Sequence, residues 1–474
     1  MRVLFVEPPK DIWFVMGEYL PPPYGIIQLA AYLEKEAKDT EIEVLDCNAK
    51  KVDWKGLEQR IESFKPDIVA SSALSTCNTY VVARTLETAK RINPNILTVT
   101  GGQHFTVTAQ ESLEAYPEID VIVRGEGEQT LTELVQNASK KTAFPKIPGM
   151  SFRHKGQILH NPDRPLIEDL EALPYPGYHL VKDTVNKYHF AAMAGPNAHY
   201  ALIEGSRGCP HSCTFCTQWR HWQGKWRLKS TKRIADEMAF CYNNYGSRFI
   251  WLTDDNLGAG NRVKEVADEI VQKGFPDDLM WFVQARCDDI VRNEKTLPLL
   301  RKSGLRWVLL GVESPTKSTL EDFKKDMTAE DAKKAVRLLK ENDIAAHTMF
   351  IIGERKDTAE SIAHLREFVK ELDPDFAIFT ILTPFPGTEV YNEAKRNGWI
   401  EDADWSHYDM VHATMPTETL TANEVQEELY LCYRSFYGLW KRRLQGIFSR
   451  SELRRRVYWY MAGRGIVEQL KTLF

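Results

Sequence analysis

The chain has no long hydrophobic run. Its longest apolar stretches, such as Arg306 to Val312, fall far short of the ~20 residues that a membrane-spanning helix needs, and Met1 leads straight into a strand pattern without the apolar core of a signal peptide. The expected location is therefore the cytoplasm, with no transmembrane segment. Cysteine is scarce: eight in 474 residues, unevenly spaced, cannot form the disulfide framework of a secreted scaffold. Charge of one sign is lacking as well, since 61 Lys and Arg stand against 66 Asp and Glu for a net charge of -5, and no specific nucleic-acid partner is expected. The first strand is not followed by GxGxxG, which removes the usual signal for a nicotinamide or flavin site. No solenoid repeat and no low-complexity tract is visible.

What remains is a folded, multi-unit protein, with 43% apolar and 27% charged residues. From Arg2 to about Gln136, short apolar runs (RVLFVEPP, EIEVLDC, DIVASSAL, ILTVTGG, VIVRGEGE) alternate with helical patterns. That alternation predicts a doubly wound parallel sheet, with ligands beyond the carboxyl ends of the strands. A stretch rich in Pro and Gly, 143–195, reads as a linker with a small hairpin. Over 196–400 six strand–helix repeats point to a parallel barrel or partial barrel whose polar residues follow each strand. The region 401–474 reads as helical, and between Lys441 and Arg464 eight basic residues face a single acid, Glu452. Such a run is commonly a solvated helix face. Its interleaved aromatics instead suggest a tail that covers a substrate cavity between the two α/β units.

The strongest chemical signal is GCPHSCTFC, which places Cys209, Cys213 and Cys216 on one loop after the first barrel strand. Three thiolates so spaced can hold three corners of a cuboidal iron–sulfur cluster and leave one iron open. Zinc on Cys209, His211, Cys213 and Cys216 is the rival, although the distant second CxxC of most zinc sites is missing.

This loop resembles that of the radical S-adenosylmethionine (SAM) superfamily, whose CxxxCxxC motif follows the first strand of a partial (β/α)6 barrel. The resemblance implies a 4Fe-4S cluster on Cys209, Cys213 and Cys216, with SAM on the open iron and Phe215 near its adenine. Later strand ends (LTDDN, QAR, GVES, IIGE and TPFPGT) resemble the cobalamin-binding branch of the superfamily. By that resemblance Asp254 and Asp255 stand where the methionyl amine is held, Arg286 meets the SAM carboxylate, Glu313 and Ser314 approach the ribose, and Ile352 and Gly353 flank the adenine. Each has a simpler reading: Asp254 a cap, Glu313 a partner for a lysine, Gly353 a turn.

The amino-terminal unit resembles the cobalamin-binding domain of the same branch through GGQH and VRGEGEQT. The residues expected against cobalamin are Pro9, Ser72, Leu74, Ser75, Thr76, Gly101, Gly102, His104, Arg124, Gly125 and Glu126. The DxHxxG string through which methionine synthase and mutases coordinate cobalt is absent, so the lower axial ligand is not expected to be a histidine of that motif. His104 is expected near the nucleotide of the cofactor.

The fold expected is thus a Rossmann-like cobalamin-binding domain (1–142), a linker (143–195), a partial (β/α)6 radical SAM barrel (196–400) and a helical carboxyl-terminal region (401–474). The resemblance, closest to the group of the anaerobic magnesium-protoporphyrin ester cyclase and the C-methyltransferases, implies transfer of a methyl group from methylcobalamin to an unactivated carbon, with an external electron donor for the cluster. Its alternative is a cyclase or hydroxylase that uses water on a tetrapyrrole-like substrate; a non-catalytic cobalamin sensor has no need of three cluster cysteines. These motifs do not specify the substrate, which ranges from a lipid, tetrapyrrole or other small molecule to a protein side chain such as glutamine. No protein acid or base is obligatory in the methyl transfer itself, and no catalytic residue is assigned.

Overall fold

The computed structural model describes residues 1–10, 19–73, 75–139, 141–195 and 197–471. Leu74, expected at the cobalamin site, lies outside the described residues.

The first strand, Arg2–Glu7, is apolar on both faces. Val3 and Phe5 enter one core and Leu4 and Val6 the other, as a parallel strand covered by helices on both sides requires. Around it the sheet runs Glu41–Asp46, Arg2–Glu7, Ile68–Ser72, Leu97–Gly101 and Val121–Val123, all parallel. Numbered along the chain, these strands lie in the order 2-1-3-4-5. The order reverses between Arg2–Glu7 and Ile68–Ser72, and the crevice for a ligand opens at their carboxyl ends.

The expected hairpin exists, but it is not part of a free linker. Met150–His154 and Gln157–His160 continue the same sheet antiparallel to Val121–Val123. Arg124 pins it there, donating to the carbonyl of Met150 (2.9 Å), the hydroxyl of Ser151 and the carboxylate of Asp163 (2.7 Å).

Six parallel strands then follow in chain order: Tyr200–Ile203, Phe249–Leu252, Met280–Arg286, Leu305–Glu313, Ala345–Ile352 and Phe376–Ile381. Among the described residues no pairing joins the last strand to the first, so the barrel is open.

The free edge of the last strand is sealed by helix Ala422–Tyr437. Tyr433 and Tyr437, one helical turn apart, each donate to a strand carbonyl (Phe379, 3.0 Å; Ala377, 2.9 Å) and accept the amide of the same residue. One helical turn and two strand residues advance by nearly the same distance, about 6 Å, so the hydroxyls match the exposed edge.

Past Gly438 the described tail does not pack over the cysteine loop, where it was expected as a cover. Arg442 donates to the carbonyl of Pro374 (2.7 Å), Arg454 pairs with Asp375, and the Tyr458 hydroxyl donates to the Asp375 carbonyl (3.3 Å). All of these partners precede the last strand. The tail therefore seals the amino-terminal end of the barrel, opposite the cysteine loop, and part of its basic character is spent on Asp373 and Asp375. Truncation after Thr421 is accordingly expected to destabilise the barrel, and Phe436→Ala alone to cost about 3–5 kcal/mol in chemical denaturation. An unchanged thermal midpoint with loss of turnover alone would restore the lid reading.

Candidate functional site

The cysteine loop leaves the barrel through a narrow passage. Ser206–Arg207 pairs antiparallel with Arg227–Leu228, and Gly208 turns the chain at φ +93°, where a Cβ would sit 2.0 Å from the Lys225 carbonyl. Thr214 then fixes the loop to the barrel mouth. Its amide donates to the Phe323 carbonyl (3.2 Å), its hydroxyl to the Asp322 carbonyl (3.1 Å), and its carbonyl accepts the amide of Glu389 (3.1 Å). Phe215 lies edge-on to Phe323, 5.0 Å between ring centres.

The three thiols are half-buried and close enough to influence one another. Burial pushes Cys209 up to about 11 and Cys216 up to about 12, and raises Cys213. The amides of His211 and Gln218, bonded to the sulfurs of Cys209 and Cys216, pull the other way. Thiolates here need a cationic partner to exist, which is the condition a metal cluster satisfies on binding. Among the described residues no three His, Cys, Asp or Glu side chains are gathered about one point to hold a single metal ion. A cuboidal cluster instead asks each thiolate to reach a separate iron, and three thiols spaced along one loop fit that demand.

The other expected residues surround this mouth in unequal ways. Arg286 ends its strand with Nε donating to Asp288 (2.9 Å) and one amino group to the Asp326 carbonyl (2.8 Å), while its charge is felt at Cys209 and Cys213. Glu313 sits at a strand irregularity with φ +62° and is paired with the buried Lys325, which fulfils its simpler reading. Ser314 accepts the amide of Thr316 (3.1 Å). Ile352 is buried at the end of its strand, and the amide of Gly353 donates to Asp357 (2.9 Å).

Asp254 departs from expectation. Its Oδ1 accepts the amides of Gly205 (2.7 Å) and Ser206 (2.9 Å), so this carboxylate shapes the start of the cysteine loop instead of facing the mouth. Asp255 has no hydrogen bond or ion pair among the described residues, and burial, with Asp254 and Glu204 nearby, pushes it up to about 7.

In the amino-terminal unit Gly101 and Gly102 follow the strand Leu97–Gly101, and a Cβ on Gly102 (φ +93°) would lie 2.5 Å from the Ala73 carbonyl. Pro9, Ser72 and Ser75 are half-buried at the same end of the sheet. His104 is buried, with Nδ1 3.3 Å from the Thr76 hydroxyl and its ring edge-on to Trp405 at 5.2 Å. Burial holds it neutral, down to about 4. The two loops meet directly: the Thr217 hydroxyl donates to the Gln103 carboxamide (2.9 Å), which in turn donates to Gln218 (3.1 Å).

Comparison with known proteins settles the class. Residues 15–135 match the B12 binding domain and residues 203–369 the Radical SAM superfamily. An uncharacterized methyltransferase of Pyrococcus horikoshii is 31% identical over 454 residues, 95% of both chains. The chain belongs to the cobalamin-binding radical SAM family. The anaerobic magnesium-protoporphyrin IX monomethyl ester cyclase of Cereibacter sphaeroides is 32% identical over 447 residues, 92% of this chain and 70% of that one. In fold, the radical SAM methyltransferase TsrM of Kitasatospora setae, solved with cobalamin and a 4Fe-4S cluster, superposes with a TM-score of 0.68 at 20% identity, over 85% of this chain and 79% of that one. Cobalamin, SAM and a 4Fe-4S cluster are the cofactors of this enzyme.

Two members of the VRGEGE string serve the joint between the cobalamin and radical SAM domains instead of the corrin. Glu126, expected at cobalamin, and Glu128 are buried and grip Arg207 from the barrel side (2.7 Å each), which also pairs with Glu204 (3.0 Å); Arg227 reaches Glu126 at 2.9 Å. Arg124 is spent on the hairpin, and Gly125 donates its amide to Thr106 (3.1 Å). Sequence reasoning missed Arg207, Arg227, Gln103 and Thr217, and also Trp405, whose amide reaches the Tyr80 hydroxyl (3.3 Å) and whose ring covers His104. The one available clue was that Arg207 directly precedes Gly208 and Cys209.

Proposed function

We propose that this enzyme methylates an unactivated carbon of its substrate. The observation that carries the reading is the hydrogen-bonded junction of Gln103 with Thr217 and Gln218, which holds the cobalamin-domain loop and the cluster loop side by side. A substrate bound beside this junction would meet both cofactors at once. When bound, the cluster supplies the electron that cleaves SAM into a hydrogen-abstracting radical, and cobalamin supplies the methyl group.

The chain's own residues bind, orient and exclude water. Cys209, Cys213 and Cys216 hold the cluster. Asp255, the unpaired carboxylate at the mouth, takes the methionyl ammonium, while Asp254 positions the loop beneath it. Arg286 faces the SAM carboxylate, Ser314 the ribose, and Phe215, Ile352 and Gly353 the adenine; Glu313, locked to Lys325, shapes the ribose side without binding it. Pro9, Ser72, Ser75, Thr76, Gly101 and Gly102 line the corrin. An electron donor from outside the chain completes the system.

Anaerobic incubation of the reduced enzyme and cell extract with SAM carrying a deuterated methyl group tests this. Label in a new product is expected; turnover without label would sink methylation. A second reading has its own support in the similarity to the ring cyclase, and it predicts an unlabelled product that takes oxygen from water.

His104 gives an independent check. Its Nδ1 faces Thr76, its ring lies edge-on to Trp405 and its Nε2 is buried without a partner, and our reading keeps it beside the nucleotide and off the cobalt. Electron paramagnetic resonance of the cob(II)alamin form is expected to lack nitrogen superhyperfine splitting, and a clear splitting that disappears in His104→Ala would reverse this assignment.

A further inference from the structure

The tail has a second face that its packing leaves uncovered. In helix Trp440–Ile447 and its cap, Trp440, Leu444 and Phe448 recur every fourth residue and so form one stripe, and they are 74%, 51% and 75% exposed. Trp459 of the following helix is 59% exposed. A soluble surface rarely displays an aromatic stripe of this kind without a partner. The cations beside it divide in two. Arg442 and Arg454 are spent on Asp373 and Asp375, whereas Arg443 and Arg450 are exposed, with no carboxylate against either among the described residues. Eight basic residues against one acid make this the cationic end of a chain whose net charge is -5.

We infer that the stripe docks on an anionic lipid bilayer, with Trp440, Leu444 and Phe448 in the interfacial layer and Arg443 and Arg450 at the headgroups. Charge complementarity selects this occupant, because large aromatics flanked by arginines suit a boundary that is apolar below and negative above. No helix of the described residues is long and apolar enough to cross a membrane, so the contact is peripheral. The docked tail seals the amino-terminal end of the barrel, which leaves the cysteine mouth facing away from the bilayer. The inference does not depend on which reaction the mouth performs.

The test is flotation of the full-length protein with vesicles of phosphatidylcholine containing phosphatidylglycerol, against phosphatidylcholine alone. Binding to the anionic vesicles that weakens as salt is raised is expected. Trp440→Ala with Phe448→Ala should keep the thermal midpoint, since both side chains are exposed, and lower binding about tenfold or more. Arg443→Glu with Arg450→Glu should remove the preference for phosphatidylglycerol. Failure to float with either vesicle would overturn the inference, as would equal flotation by the Trp440/Phe448 variant. A full-length dimer that becomes monomeric in that variant, without vesicle binding, would assign the stripe to a second copy of the chain.

Discussion

Replacing Cys209, Cys213 and Cys216 together by alanine is expected to lower iron in the anaerobically reconstituted protein from about four atoms per chain to background, and SAM cleavage with it, while cobalamin binding persists. The three thiols share one loop that Thr214 clamps to the barrel mouth and that begins at Gly208, where a side chain has no room. Of the five remaining cysteines, Cys47, Cys241, Cys287 and Cys432 are buried in the core and Cys77 contacts Ser75 (3.3 Å). Alanine at any one of these should leave the iron content unchanged. Because cobalamin lies in the other domain, its retention distinguishes a lost cluster from a collapsed fold. Iron retained by the triple variant, or stoichiometric zinc in its place in the native protein, would refute the assignment.

The second large effect belongs to Arg207. Burial alone would push Glu128 up, yet the charge and hydrogen bonds of Arg207 hold it below the usual carboxylate range, a measure of how completely the arginine neutralises the joint. Arg207→Ala strands Glu126, Glu128 and Glu204 with one fewer cation and is expected to cost about 3–5 kcal/mol, because an unpaired buried charge is more expensive than a missing pair. The pH dependence follows in sign. In the native protein Glu128 has a lowered folded value, so its contribution is present above the unfolded value and is lost as pH falls through the folded one. In the variant burial dominates and the folded value is raised; protonation then relieves the stranded carboxylate, and the deficit should shrink as pH falls from 8 toward about 5. Chemical denaturation of both proteins at the two pH values checks this. A deficit independent of pH, or one below about 1 kcal/mol, would mean that Arg207 does not hold the domains together.

The parts that were legible in the sequence are those whose physics is local. The cysteine spacing, the apolar strands and the polar residues after each strand concern neighbours in the chain, and helices such as Thr231–Tyr245 and Ala329–Glu341 fall between barrel strands as the strand–helix alternation requires. What was not legible depends on partners far away in sequence. Asp254 is bonded to amides 49 and 48 residues earlier, Gln103 meets Thr217 across 114 residues, and Glu126 meets Arg207 across 81. A one-dimensional motif cannot tell a carboxylate that binds a ligand from one that binds an arginine in another domain. The tail differs from expectation for the same reason. Its charge run showed eight cations but not that Asp373 and Asp375 stood ready to receive two of them.

In the proposed reaction one site joins hydrogen abstraction to methyl transfer, and counting SAM-derived products against methylated product tests that coupling. If one SAM yields the abstracting radical and a second restores the methyl group on cobalamin, then 5′-deoxyadenosine, S-adenosylhomocysteine and methylated product should accumulate in equal amounts in the reduced, fully loaded enzyme with its substrate. Product formed with 5′-deoxyadenosine but without S-adenosylhomocysteine, and carrying no label from the SAM methyl group, would contradict the claim.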